Sequence, residues 1–373
     1  MNIREFVENN RDEIFGILKE LCAIPAPSGN EEKRAEYCKK ILEEFGAEGV
    51  YIDEALNVLY PINCESSDKI TVFVGHTDTV FPDLTPMPYE DKGDTIHSPG
   101  VADDTASVVA VLLMAKFFIQ YKIVPAHGIL LVLNSCEEGL GNLKGTRRLF
   151  KDYEGRIERF FSFDSQLDII NDTCVGSERF EVEVKTEGGH SYLAFGKENA
   201  IAELSGIITK IFEIALPEKE NSKTTYNVGT IEGGTSVNTI AQSAKMLCEY
   251  RSDSSECLSV MREKFLEIFE SAKKDGVEVS VKNVGERPCS ITDYEKVQEL
   301  ISVAQPIIES VTGDRVTFKS SSTDCNIPLS LGIPAICLGV CKYEGMHTRE
   351  EFLYKESLIK GIEIAIKLGL EFV

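Results

Sequence analysis

The stretch Lys69-Ile-Thr-Val-Phe-Val-Gly-His-Thr-Asp78 decides the fold. Its leading residues carry the β-branched and aromatic side chains of a buried strand, and that strand runs straight into a histidine and a carboxylate. Two later runs repeat the form: Gly128 to Asn134 leads into Glu137 and Glu138, and Arg159 to Phe163 leads into Asp164. A small-residue helical stretch from about Asp104 to Tyr121 separates the first two. Strands alternating with helices at this spacing predict an α/β fold, a mostly parallel central sheet flanked by helices. Catalytic groups then belong at the carboxyl ends of the strands. Burying a carboxylate without a partner costs several kcal/mol, so three strands ending on candidate ligands ask for a shared cation.

Upstream of this sheet, residues 5–22 and 31–46 have helical apolar spacing, the second opening on a cap-like Ser28-Gly-Asn-Glu31. Downstream, the pattern changes at about Glu178 to an alternation with Phe180, Val182 and Val184 on one face. An amphipathic helix at Ala200 to Ala215 follows, then strands at Tyr226 to Ile231 and Lys245 to Tyr250, a helix at Glu256 to Lys274 and a strand at Val277 to Val281. This β-α-β-β-α-β order predicts an inserted ferredoxin-like α+β module. After Arg287-Pro288 the α/β pattern resumes and closes on an amphipathic helix at Leu358 to Leu368. The expected organisation is a catalytic domain from residues 1–177 and 287–373 interrupted by a second domain at 178–286.

A chain of 373 residues exceeds what one hydrophobic core usually organises, in keeping with two domains. Sixty-one acidic against thirty-nine basic residues give a net charge of -22, which repels phosphate backbones and anionic lipid, so neither nucleic acid nor membrane is an expected partner. The longest apolar runs, such as Val108 to Met114, fall well short of the roughly 20 residues of a membrane span. The amino terminus lacks the apolar segment of a secretory signal, and a cytoplasmic location is expected. Eleven cysteines without a Cys-x-x-Cys pair read as reduced and buried, Cys337 and Cys341 included.

The candidate ligands lie in short motifs. His76 and Asp78 stand two apart in an extended segment and so share a face, which suits one to bind a divalent ion and the other to fix its tautomer. Asp103 follows the small residues Gly100-Val101-Ala102, where backbone can approach a ligand closely, and one carboxylate can bridge two ions. Asp104 fits the role of N-cap for the next helix. Glu137 and Glu138, being adjacent, point apart and suit two tasks, metal ligation and proton transfer. With Asp164 and His347 the set His76, Asp103, Glu138, Asp164 and His347 supplies the nitrogen and oxygen donors of a dinuclear site. His97 and His127 lie in loops without such a setting and read as structural.

Together these residues resemble the family of binuclear zinc exopeptidases and deacylases that includes peptidase T, carboxypeptidase G, succinyl-diaminopimelate desuccinylase and acetylornithine deacetylase. The motifs that carry the resemblance are Gly75-His-Thr-Asp-Thr-Val80, Gly100-Val-Ala-Asp-Asp104, Glu137-Glu138-Gly139, Gly188-Gly-His-Ser191, Gly233-Gly-Thr-Ser-Val-Asn238 and Ser322-Thr-Asp324 followed by His347. The resemblance implies a zinc exopeptidase-like catalytic domain, with the insert acting as a lid through which the chain forms a homodimer. It implies that His76 and Asp164 hold one zinc, that Glu138 and His347 hold the other, and that Asp103 bridges them. Asp78 would orient His76, and Glu137 would be the general base toward a hydroxide shared by the ions. His190, Asn238 and Arg251 would bind substrate, His190 reaching a neighbouring subunit and Arg251 gripping a carboxylate. Cobalt or manganese are further ions such donors accept.

Two stretches depart from the family's usual pattern. Thr105-Ala106-Ser107 follows Asp104 where Lys and a nearby Gly are common, and His97-Ser98-Pro99 precedes Gly100 in place of Tyr-Gly-Arg. Asp164 points within the family, since aminopeptidase-like members tend to carry Asp there and carboxypeptidases and deacylases Glu. The expectation is therefore an aminopeptidase acting on small peptides, di- or tripeptides. Its alternatives are an N-acyl amino acid deacylase using the same site and, more remotely, an inactive peptide-binding homologue.

Overall fold

The computed structural model describes residues 2–373. The described chain divides into two compact units, residues 2–174 with 291–373 and residues 175–290.

In the first unit an eight-stranded sheet runs in the order Tyr51–Ile52, Val58–Ile62, Gly128–Asn134, Ile70–His76, Ile157–Phe163, Ala335–Leu338, Ile169–Cys174 and Thr317–Ser321. Its centre is parallel: Ile70–His76 pairs in parallel with Gly128–Asn134 on one side and Ile157–Phe163 on the other, and Ala335–Leu338 continues the direction. Every residue of Ile70–His76 and of Gly128–Asn134 is buried, as expected of strands covered on both faces. Phe73 stacks on Phe161 across the ladder at 5.0 Å. The helix Ala106–Gln120 covers one face, almost wholly apolar, and packs against the helix Lys355–Leu370. A smaller antiparallel sheet joins Thr95–His97 to Phe352–Tyr354, and on it His97 stacks on the Phe352 ring at 4.7 Å.

The second unit has an antiparallel sheet in the order Thr224–Gly233, Ser243–Ser252, Gly176–Thr186, Val277–Arg287. Helices Ala200–Phe212 and Ser255–Ser271 pack on it, and their core centres on Phe180, Tyr250, Phe265 and Phe269. The strand of the expected alternation is real, with Phe180, Val182 and Val184 all buried.

Several boundaries differ from expectation for local reasons. The span read as one helix at 5–22 is two, Ile3–Asn9 and Arg11–Cys22, because Asn10 turns its amide back onto the Phe6 carbonyl at 2.7 Å. The helix after Asp104 begins only at Ala106, since Asp103 and Asp104 take non-helical backbone angles. All eleven cysteines are free and buried. Among the described residues no helix is long and apolar enough to cross a membrane.

Candidate metal centre

His76 ends the middle strand of three parallel neighbours and pairs with Asn134 at the end of the next. Gly75 lets that strand end approach the start of the helix Ala106–Gln120: a Cβ there would come within 3.0 Å of the Ser107 backbone. Asp104 receives the His76 backbone N–H on Oδ2 at 2.8 Å. Its expected task as an N-cap is therefore not what it does, since the helix is capped at Thr105 with no side-chain bond. The His76 ring lies with Nδ1 3.1 Å from the Asp78 backbone carbonyl and Nε2 3.1 Å from Asp103 Oδ1. Asp78 Oδ1 is farther from Nδ1, at 3.4 Å.

Besides pairing with the His76 ring, the Asp78 carboxylate has further partners. Its Oδ1 accepts the Glu137 N–H at 3.0 Å, its Oδ2 accepts the Glu138 N–H at 2.9 Å, and Ser28 Oγ donates to Oδ2 at 2.6 Å. Asp78 thus fixes the backbone of the glutamate pair, while its own carbonyl faces the imidazole. Cys136, just before the pair, has φ +57°, a left-handed conformation that turns the chain sharply out of the strand.

Asp103 is held by a residue near the carboxyl-terminal end of the chain. Glu351 takes the N–H groups of Ala102 and Asp103 on Oε1 at 2.8 and 3.1 Å and that of Gly100 on Oε2 at 3.0 Å. Gly100 has φ +71°, and a Cβ there would strike the Thr79 side chain at 2.7 Å. Four residues before Glu351 sits His347, itself at φ +64°. Its Nε2 lies 2.9 Å from Asp103 Oδ2 and 3.2 Å from Glu138 Oε1. Asp164 follows the strand Ile157–Phe163 directly. One ligand atom each of His76, Glu137 and Asp164 lie within 4.8 Å of one another, and so do those of His76, Asp103 and Glu138.

So many carboxylates at close quarters perturb one another. Burial and the neighbouring Asp103 charge push Glu138 up to about 7. Burial, again with Asp103, holds Asp164 well above the usual carboxylate range. Burial would also raise Asp103, yet hydrogen bonds from His347 and His76 carry it well below. His347, whose ring faces the Asp103 and Glu138 carboxylates, is raised to about 10 by them. The site is thus short of positive charge and borrows it from imidazoles. Its donors are two imidazole nitrogens and several carboxylate oxygens in convergent array, which fits hard to borderline divalent ions.

Three buried side chains were not among the candidates read from the sequence. Glu351 is one. Asp324, 1% exposed, takes the Asn134 amide at 2.7 Å and the Thr146 hydroxyl, and burial with the Glu137 charge raises it to about 6. Arg34 is the third, a guanidinium with no exposure at all. Asp324 lies in a quoted motif and Glu351 follows His347, which were the available signals; Arg34 gave none.

The remaining candidates lie in the second unit. His190 and Asn238 are exposed and adjacent, since Ser191 N–H donates to the Asn238 carbonyl at 3.0 Å. Arg251 donates from Nε and Nη2 to the two oxygens of Glu249 at 2.8 and 3.1 Å.

The chain belongs to Peptidase family M20/M25/M40, which its sequence matches over residues 72–370. It is accordingly a metal-dependent hydrolase. A succinyl-diaminopimelate desuccinylase of Corynebacterium glutamicum is 24% identical, covering 90% of each chain. Among solved structures, a tripeptidase of Staphylococcus aureus is similar with a TM-score of 0.77 and 21% identity, over 96% of this chain and 97% of the other. Aminopeptidase PepT of Bacillus cereus follows with a TM-score of 0.73 and 21% identity, over 96% and 98%.

Proposed function

We propose that this chain is an exopeptidase that removes the amino-terminal residue of di- or tripeptides with the help of two divalent ions, zinc foremost. The observation that carries the reading is the position of Asp103, whose Oδ1 faces His76 and whose Oδ2 faces His347 at 3.1 and 2.9 Å. A carboxylate that offers one oxygen to each of two imidazoles is placed to be shared between two ions. His76 and Asp164 would hold one, Glu138 and His347 the other.

When bound, such ions polarise a carbonyl and make water a nucleophile near neutral pH. The protein's own groups do the rest. Glu137 takes the proton of the attacking water and hands it to the leaving amine. Asp78 keeps Glu137 and Glu138 in place through their amides. His190 of the insert at 178–286 supports the developing negative charge in a neighbouring subunit's site, which makes the working unit a homodimer. Asn238 and Arg251 bind the peptide, Arg251 exchanging Glu249 for a substrate carboxylate. A small cytosolic peptide is the expected partner.

Aspartate at 164 and the likeness to a tripeptidase and an aminopeptidase support the peptide reading. The desuccinylase relative supports the second one, an N-acyl amino acid deacylase. Free-amino tripeptides assayed against N-acetyl and N-succinyl amino acids, each with added zinc, cobalt or manganese, separate them. Faster turnover of the acylated substrates would overturn the first reading, and no turnover with measurable peptide binding would point to an inactive homologue.

A further inference from the structure

Arg34 stands on the buried face of the helix Glu32–Glu44, beside Ala35, Cys38 and Ile41, where an apolar residue would be the ordinary choice. Its guanidinium is wholly enclosed. Nε donates to the Ile24 carbonyl at 2.8 Å, and Nη1 donates to the Thr77 carbonyl at 2.9 Å and to Thr105 Oγ1 at 3.3 Å. These acceptors belong to three separate segments. Thr77 lies between His76 and Asp78. Thr105 closes the loop of Asp103 and passes the bond on, since its hydroxyl donates to the Gly100 carbonyl at 2.5 Å. Ile24 begins the segment that delivers Ser28 to Asp78, and Ala26 of that segment accepts the Thr79 N–H at 2.9 Å.

Charge makes the same point. Among the described residues of the first unit, Arg34 is the one buried lysine or arginine, against buried carboxylates that include Glu31, Asp78, Asp103 and Asp104. A fully enclosed guanidinium is costly unless its charge and its donors are used; Nε and Nη1 are used here, whereas the buried Nη2 makes no hydrogen bond. A planar fork with several fixed donors can bind three carbonyl or hydroxyl oxygens at set angles, which an ammonium on a flexible stem does less well.

We propose that Arg34 is a positioning residue of the metal centre: a built-in cation that locks the His76–Asp78 turn, the Asp103 loop and the Ser28 segment in mutual register before any ion binds. The proposal rests on the reading of this site as a metal centre. It gives Arg34 a task that Thr105, a short neutral side chain, performs only as its acceptor.

The test compares wild type, Arg34→Met and Arg34→Lys as full-length, metal-stripped protein. Amide hydrogen exchange is read first, and zinc alone is then titrated by calorimetry. Arg34→Met should speed exchange about tenfold or more at residues 76–79 and 100–105 and leave the strand Gly128–Asn134 and the second unit unchanged. It should weaken zinc binding by about 10- to 100-fold, the usual effect of losing a group that orients ligands. Arg34→Lys should recover part of both. Wild-type exchange and affinity in a folded Arg34→Met protein would overturn the proposal, and so would a uniform rise in exchange across the first unit. If Arg34→Met yields no folded protein, Thr105→Val takes its place: faster exchange at 100–105 with weaker zinc binding supports the role, and no change refutes it. Wild type that binds no zinc would refute the metal centre alone, because the exchange measurement still decides the task of Arg34.

Discussion

His347 and Asp103 are far apart in the sequence and meet with Nε2 and Oδ2 2.9 Å apart. Their meeting depends on Glu351, which follows His347 in a non-helical turn and binds three backbone N–H groups of the Asp103 loop. One short segment thus brings a candidate ligand and fastens the loop that carries its partner.

Glu351→Gln keeps the shape and replaces one acceptor oxygen by a donor that faces N–H groups. Leaving buried amides unpaired costs about 1–3 kcal/mol, so urea denaturation of the metal-free protein should show a loss of that size. Zinc content should fall with it. An unchanged denaturation midpoint would show that these bonds are dispensable.

Glu137→Ala should leave both ions bound and lower turnover by about two to four orders of magnitude, the usual worth of a general base. Metal analysis and steady-state rates on the same preparation check this. Near-normal turnover would remove Glu137 from its assigned role.

Asp78→Ala withdraws the acceptor of two backbone amides and of Ser28. Zinc affinity should drop about 10- to 100-fold, as for other groups that orient ligands. Ser28→Ala, which deletes one of those bonds, should cost only about 1 kcal/mol of stability.

The titration of the metal-free protein follows from the raised groups. Glu138 stands at about 7 through burial and Asp103, Glu351 at about 7 through burial and the same charge, and His347 at about 10 through the facing Asp103 and Glu138 carboxylates. All three bind protons more tightly folded than unfolded. Their stabilisation is therefore complete below the unfolded carboxyl and imidazole values, and it is lost as pH rises through about 7 for the glutamates and about 10 for His347. The thermal midpoint of metal-free protein should fall between pH 5 and pH 9, and the gap to zinc-loaded protein should widen. A constant gap would contradict the charge shortage described at the site.

Much of this was legible because strands announce themselves. His76, Glu137, Glu138 and Asp164 all follow apolar runs, and a buried strand that ends in a charge is a readable anomaly. The alternation at Phe180, Val182 and Val184 likewise gave the antiparallel sheet of the second unit. The two- and three-residue strands around His97 and Phe352 were not legible, since so short a run has no periodicity. Nor were the tasks of Glu351 and Arg34. In a chain this rich in charge, an arginine on a helix or a glutamate in a turn looks like solvated surface until distant segments fold around it. Asp104 was misread for the same reason: its partner is the His76 amide, a contact that the local sequence does not encode.

The most direct measurement is anomalous diffraction at the zinc edge from crystals of the zinc-loaded chain. Two peaks about 3.5–4 Å apart are expected, with the Asp103 carboxylate between them and one of the imidazoles of His76 and His347 on each. A single peak, or ions bound away from Asp103, would contradict it.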